Sequence, residues 1–350
     1  MTIRVVVVED SPTMRAILMA RLSEEPDIKV VATAANAAEG RELIRQFDPD
    51  VVTLDIEMPG MNGLDFLDKI MALRPTPVII ISGATQEGAA TTAEALARGA
   101  VACYAKAQDG SAFKDSRLAD MIREAAQVRF QRPAPGAARA PAPAPAAPAP
   151  SNVTAMPKRT APPSLVAIGS STGGVEALHA VLSAFPANCP PTVIVQHVNA
   201  RFAPSIAQSL DQACPPRVLI AEPDMPLRPG HVYLAPGDDR HLTVSGSANG
   251  YHARLRAGQP ISGHLPSVDA LFLSVAEKVG AAAAGILLTG MGSDGAQGLL
   301  AMHRAGALTI AQDEATCTVF GMPRAAIALG AAGIIAPLNS IPSQLFRMAA

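Results

Sequence analysis

Tryptophan is absent from this 350-residue chain, tyrosine occurs three times, and aromatic residues make up only 3% of it. No basic block and no stripe of basic and aromatic residues occurs anywhere, and the formal net charge is −2. These absences argue against a nucleic-acid partner, whose phosphates are held by clustered lysine and arginine. Cysteine is scarce: Cys103, Cys189, Cys214 and Cys317 stand apart, with no CxxC and no Cys/His pairing. No zinc spacing results, and such usage fits a reducing compartment. Long apolar runs are missing too. The longest, around Val279–Leu288, is rich in alanine and glycine and far short of the ~20 residues a membrane span needs. The opening "MTIRVVVVED" meets carboxylates after a handful of apolar residues, too few for a signal-peptide core. The expectation is a soluble cytoplasmic protein with no membrane insertion.

What the chain does have is a proline/alanine segment, "RPAPGAARAPAPAPAAPAPSNVTAMPKRTAPP", from Arg132 to Pro163. It has almost no large apolar residue to bury, so it is expected to run as extended, semi-stiff chain. The expected division is a domain at 1–128, a tether at 129–163 and a second domain at 164–350, both domains of ordinary size. A tether of this kind invites one half to regulate the other.

The first half alternates. "IRVVVVED" reads as a central parallel strand covered on both faces. "SPTMRAILMARLSEE" follows at helical spacing, with Ser11 as N-cap and Pro12 at the first helical position. Strand-like "KVVATA", "VVTLDI", "PVIIISG" and "AVACYA" then alternate with helical stretches, ending in "SRLADMIREAAQVRF". Five strands and five helices in alternation predict a doubly wound α/β domain. In such sheets ligand chemistry gathers at the carboxyl ends of the strands. In the flavodoxin-like strand order, Glu9 and Asp10 end one strand and Asp55 its neighbour, so three carboxylates should converge. Their mutual repulsion calls for a cation, and an oxygen-only cluster suits Mg²⁺. Ser82 and Lys106 add a hydroxyl and an ammonium to the same rim.

On "VVEDSPTMR", "DVVTLDIEMPGMNGLDFL", "ISG" and "YAK", residues 3 to about 125 resemble the response-regulator receiver domain. The resemblance implies a five-stranded parallel sheet in the order 2-1-3-4-5. It implies that Asp55 accepts a phosphoryl group from a histidine kinase, that Glu9 and Asp10 help it hold Mg²⁺, and that Ser82 and Lys106 sense the product. Two positions depart from the family. Ala107 stands where a proline usually follows the lysine. Cys103 stands where an aromatic switch residue is common, with Tyr104 displaced by one.

The second half resumes the alternation with "LVAIG", "TVIVQHV", "RVLIAE", "AGILLTG" and "LTIAQ" as strands. "RPGHVYLAPGDDRHLTVSG" and "YHARLRAG" read as hairpin-like strands inserted in a mostly parallel sheet. Polar groups again fall just past apolar runs: Ser170 and Ser171, then His197, then Asp294 in "GILLTGMGSDG". A serine hydroxyl needs a base to take its proton and a carboxylate to orient that base. Bland readings stand beside this one. His197 could be a core histidine bonded to backbone. Asp294 could only cap the helix that starts near Gly295. The turn "GSSTGG" could cradle a phosphate on its N–H groups, although it lacks the GxGxxG spacing, the Walker lysine and the GxSxG elbow. A non-enzymatic adaptor and a nucleotide-binding regulator are the rival functions at this point.

"AIGSSTGGVEAL", "VIVQHV", "PGHVYLAPGD", "HLPSVDALFLSVA", "ILLTGMGSDGAQGL" and "AQDEATCTVFGMPRAAI" together resemble the catalytic domain of the chemotaxis protein-glutamate methylesterases, the CheB family. Receiver, linker and this domain, in this order, is that family's architecture. The resemblance implies Ser171 as nucleophile, His197 as base and Asp294 as orienting acid, with Thr172 and Met291 in the oxyanion region. It implies hydrolysis of glutamyl methyl esters on methylated chemoreceptor cytoplasmic domains, with no cofactor for that step. Some family members also deamidate receptor glutamines by the same acyl chemistry, and the sequence does not decide whether this chain does. A chemotaxis histidine kinase is the implied phosphoryl donor, and the unphosphorylated receiver is expected to cover the active-site face. His264 and "LPSVD" read as wall. Ser170 takes a position the family fills with a small residue, so Ser170→Ala is expected to matter little.

Overall fold

Near-continuous apolar runs in the first third of the chain become the strands of a parallel sheet buried on both faces, as such runs require. The computed structural model describes residues 2–58, 63–83, 86–106, 117–128 and 162–346. Ala107, residues 129–161 of the expected tether and the last four residues lie outside them.

The first domain runs β1 (Ile3–Val8), α1 (Pro12–Ser23), β2 (Ile28–Ala34), α2 (Ala37–Phe47) and β3 (Val51–Asp55). It continues with α3 (Gly63–Leu73), β4 (Val78–Ser82), α4 (Gln86–Ala97), β5 (Ala102–Ala105) and α5 (Arg117–Ala125). The sheet order is β2-β1-β3-β4-β5, as the sequence implied. All four pairings are parallel. Ser11 caps α1 through its side chain, which accepts the Met14 N–H, and Pro12 opens that helix.

The second domain opens with β6 (Leu165–Ser170), α6 (Gly174–Ser183), β7 (Thr192–Gln196), α7 (Ala203–Ala213), β8 (Arg217–Ile220) and β9 (His231–Leu234). A hairpin of β10 (Arg240–Ser247) and β11 (Gly250–Ala257) follows. The chain then forms α8 (Val268–Lys278), β12 (Ala283–Leu287), α9 (Ala296–Arg304) and β13 (Leu308–Gln312). It ends with α10 (Met322–Ala328), β14 (Ile334–Ala336) and α11 (Ile341–Phe346). Seven strands make one parallel sheet in the order β14-β13-β12-β6-β7-β9-β8.

Two strands differ from the sequence expectation. "HVYL" does not belong to the hairpin but enters the main sheet between β7 and β8, parallel to both. Its alternation satisfies either pairing, and only the buried side chains of Val232, Tyr233 and Leu234 select the sheet. Ile334–Ala336, too short to register as a periodic run, pairs with β13 at the sheet edge.

Strand order reverses direction between β6 and β12 in this domain and between β1 and β3 in the first. Those reversals open a crevice at the strands' carboxyl ends. Both constellations singled out in the sequence lie there. The domains also touch. α4 packs on α6 and α7, and Val319 and Met291 of the second domain join an apolar cluster with Tyr104, Leu118 and Ile122 of the first.

Candidate active site

β6 and β7 pair in parallel with Ser170 opposite Gln196, so the next residues, Ser171 and His197, leave the sheet side by side. The His197 N–H donates to the Ser170 carbonyl at 3.0 Å, and the Ser171 N–H to the Thr289 carbonyl just beyond β12 at 3.0 Å. Three strand ends are thus sewn together by backbone. Gln196, buried beneath them, tightens the seam: Nε2 donates to the carbonyls of Ser171 (2.8 Å) and His197 (3.1 Å), and Oε1 accepts from Ser170 Oγ (2.7 Å). Glycine is required here by close approach. A Cβ on Gly174 would sit 2.1 Å from Gln196 Oε1, and one on Gly290 would sit 2.7 Å from Ser171 Cβ.

His197 Nε2 lies 2.8 Å from Asp294 Oδ2. A carboxylate only accepts, so the ring proton sits on Nε2. Nδ1 then carries the lone pair, and it is buried with no hydrogen-bond partner among the described residues. A core histidine satisfied by backbone is ruled out by that arrangement. Asp294 is fully buried and accepts from four donors: His197 Nε2, Ser267 Oγ (2.7 Å), the Val268 N–H (2.7 Å) and the Asp269 N–H (3.0 Å). Burial works against its charge. The bonds from His197, Asp269 and Ser267 outweigh burial and hold its carboxyl below the ordinary value. The capping alternative is half right. Asp294 does serve a helix N-terminus, but that of α8. The helix next to it, α9, has Gly295 as N-cap and no side-chain cap.

The turn does not present itself as a phosphate cradle. Three of its N–H groups are spent: Ser171 on Thr289, Gly174 on the Ser171 carbonyl (2.8 Å), and Gly173 on the carbonyl of Val101 in the first domain (3.3 Å). The N–H groups of Thr172 and Met291 have no acceptor among the described residues. Thr289 Oγ1 donates to the Thr172 carbonyl at 3.0 Å and accepts the Val319 N–H at 2.8 Å, which fixes the Thr172 peptide. His264 is more than wall. Its ring stacks on His197 with centroids 3.8 Å apart and planes 10° from parallel. Burial, with the neighbouring His197 ring second, pushes its pKa down to about 4, against a pull from Asp294. The sequence reading missed Gln196, Thr289, Ser267 and the receiver's Glu124. The first three are polar residues at strand or helix ends within quoted motifs, the one signal that could have raised them.

In the first domain, ligand oxygens of Glu9, Asp10 and Asp55 lie within 4.8 Å of one another. Lys106 Nζ sits 2.7 Å from Asp55 Oδ2 and 3.0 Å from Glu9 Oε2. Glu9 Oε2 is buried, and beyond that Lys106 ion pair it accepts no hydrogen bond among the described residues. Burial, then repulsion from Asp55, raises the Glu9 carboxyl to about 7. A buried carboxylate oxygen without a hydrogen-bond donor, in an all-oxygen donor set, fits a hard divalent cation. Ser82 ends β4 as expected, but its Oγ points into the first turn of α4 and donates to the Gly88 carbonyl at 3.1 Å.

Residues 166–345 match the CheB methylesterase family, and residues 5–117 match the response regulator receiver domain. The chain belongs to the CheB methylesterase family. A protein-glutamate methylesterase/protein-glutamine glutaminase of Rhizobium etli is 50% identical, covering 99% of this chain and 96% of that protein. One from Caulobacter vibrioides is also 50% identical, over 99% and 98%. The crystal structure of the Thermotoga maritima CheB methylesterase catalytic domain is 36% identical. It covers 53% of this chain and 99% of its own, with a TM-score of 0.52. For this CheB-family chain, no described helix is long and apolar enough to cross a membrane.

Proposed function

We propose that the chain is a cytoplasmic, phosphorylation-regulated protein-glutamate methylesterase that hydrolyses γ-glutamyl methyl esters on chemoreceptor cytoplasmic helices. The observation that carries the reading is the His197 ring. Its Nε2–H is committed to Asp294, and its Nδ1 is buried without a hydrogen-bond partner among the described residues, at the strand end beside Ser171. Nδ1 takes the Ser171 Oγ proton as Oγ bonds to the ester carbonyl carbon. The tetrahedral oxyanion is stabilised by the Thr172 and Met291 N–H groups, which have no acceptor among the described residues. Collapse breaks the C–O bond to the methoxy group, which leaves as methanol with the proton from Nδ1. Water then loses a proton to Nδ1 as it attacks the acyl-enzyme, and Ser171 departs with that proton, leaving glutamate. Asp294 keeps Nε2 protonated and offsets the imidazolium charge at both steps. The roles of the two ring nitrogens are exchanged relative to the serine-protease triad, where Nε2 is the base. Replacing methoxy by an amide leaving as ammonia gives deamidation of glutamine by the same steps.

Regulation resides in the first domain. Asp55 accepts a phosphoryl group from a chemotaxis histidine kinase, and Lys106 stands ready to pair with a phosphoryl oxygen. Glu9, Asp10 and Asp55 would hold Mg²⁺, which when bound offsets negative charge on the phosphoryl oxygens. The receiver restrains the esterase by contact at the nucleophile turn. Thr172 Oγ1 donates to Glu124 Oε2 of α5 at 3.2 Å, and Val101 binds Gly173. Phosphorylation shifts the population away from that packing.

Methanol release from methylated receptor membranes tests the chemistry. The full chain releases methanol, and Ser171→Ala does not. A Ser171→Ala protein of full activity ends the triad assignment. Covalent labelling of Ser171 by a serine-directed phosphonate separates the enzyme from a binding adaptor.

A further inference from the structure

Asp294 accepts from four donors, and three of them come from a single three-residue stretch. Ser267, fully buried, caps α8 in two directions: its Oγ accepts the Ala270 N–H at 3.3 Å and donates its own proton to Asp294 Oδ1 at 2.7 Å. The Ser267 backbone is itself anchored. Its N–H donates to His241 Nδ1 at 3.2 Å, so the His241 proton sits on Nε2, which donates to the Gln259 carbonyl at 3.0 Å. His241 is 5% exposed, and its ring spans from β10 to the loop that precedes α8. A continuous chain of bonds therefore runs from the Gln259 carbonyl through His241, Ser267 and Asp294 to the His197 imidazole.

We propose that Ser267 is a positioning residue of the esterase reaction: its hydroxyl clamps Asp294 Oδ1 so that Oδ2 faces the His197 ring, and His241 fixes the Ser267 backbone. The inference rests on the reading of Ser171, His197 and Asp294 as a working triad. The two carboxylate oxygens divide the work. Oδ2 takes His197 and the Val268 N–H, while Oδ1 takes Ser267 Oγ and the Asp269 N–H. Val268 and Asp269 donate from the backbone of α8 and fix where the carboxylate sits. Without the hydroxyl, Oδ1 keeps only the Asp269 N–H against two donors on Oδ2, so rotation about the Cβ–Cγ bond is opposed less strongly on the Oδ1 side. An imidazole turned by a few tenths of an ångström costs little binding and much rate, because reacting atoms must be aligned only in the transition state.

The test uses the full chain with methylated receptor membranes. Ser267→Ala is expected to lower kcat about 10- to 100-fold with KM changed less than about twofold. The downfield proton resonance of His197 Nε2–H, assigned by its loss in Asp294→Asn, is expected to move or broaden in the same variant. Ser267→Gly guards against a folding defect, since glycine caps a helix start nearly as well as serine and lacks the hydroxyl. It should show the same kcat loss. A folded Ser267→Ala or Ser267→Gly protein with kcat within twofold of the parent and an unmoved resonance overturns the proposal. Ser171→Ala, run in parallel, keeps the two readings apart. Activity surviving in Ser171→Ala removes the triad itself, whereas activity surviving only in the Ser267 variants removes this clamp alone.

Discussion

Ser170 and Ser171 are adjacent, alike in chemistry and opposite in duty. Ser170 is fully buried, and its Oγ donates to Gln196 Oε1, itself in a 3% exposed side chain. Ser170→Ala leaves that oxygen without a donor, and an unpaired buried acceptor costs about 1–3 kcal/mol. For a domain of this size each kcal/mol moves the unfolding midpoint by about 2–4 °C. The midpoint of the second domain should therefore drop by roughly 2–12 °C. Turnover should stay within about tenfold, because Gln196 keeps its Nε2 bonds to the Ser171 and His197 carbonyls. Ser171 is half-buried, and its Oγ makes no hydrogen bond among the described residues. Ser171→Ala should hold the midpoint within about 2 °C and lose on the order of 10³-fold or more in methanol release. Calorimetry on the full chain, paired with methanol release, reads both quantities. A Ser170→Ala protein of normal stability and no activity, beside an active Ser171→Ala, refutes the reasoning. The sequence alone treated Ser170 as replaceable; the Gln196 bond gives it a structural cost.

Two further outcomes are expected. Glu124→Ala removes the receiver's bond to Thr172, worth about 1 kcal/mol, and should raise the unphosphorylated rate by up to about fivefold with the phosphorylated rate unchanged; an unchanged basal rate would contradict the contact's restraining role. His264, with its pKa pushed down to about 4, is neutral when folded and titrates at about 6.5 when unfolded. Between those values the unfolded chain binds the extra proton, so this contribution is full above pH 6.5 and is lost as pH falls toward 4. It amounts to about 1–2 kcal/mol after discounting for partial exposure. In urea unfolding the parent should lose about 1–2 kcal/mol more stability than His264→Phe as pH falls from 6.5 to 4, and a difference that stays constant would show that His264 does not titrate so.

Much of the architecture could be read without coordinates because it is local. Alternating apolar runs and helical periods give the two α/β domains. A polar residue just past a run lands at a strand's carboxyl end wherever that strand sits in the sheet. Glu9, Asp55, His197, Asp294 and the Ser170–Ser171 pair were legible on that ground; only the resemblance to the CheB family singled out Ser171. What the sequence could not decide was pairing at long range. His197 and Asp294 meet across 97 residues, and Asp294 meets Ser267 across 27. Local spacing made α9 the natural helix for Asp294 to cap. Packing of α8 against α9 brings the other N-terminus to it instead. "HVYL" fits a hairpin and a parallel sheet equally well by alternation, and burial between β7 and β8 chose the sheet. The ring nitrogen of His197 that is left free of Asp294 is likewise invisible in a one-letter code. It follows from which nitrogen Asp294 occupies, and that depends on a tertiary contact whose free energy no run of neighbouring residues encodes.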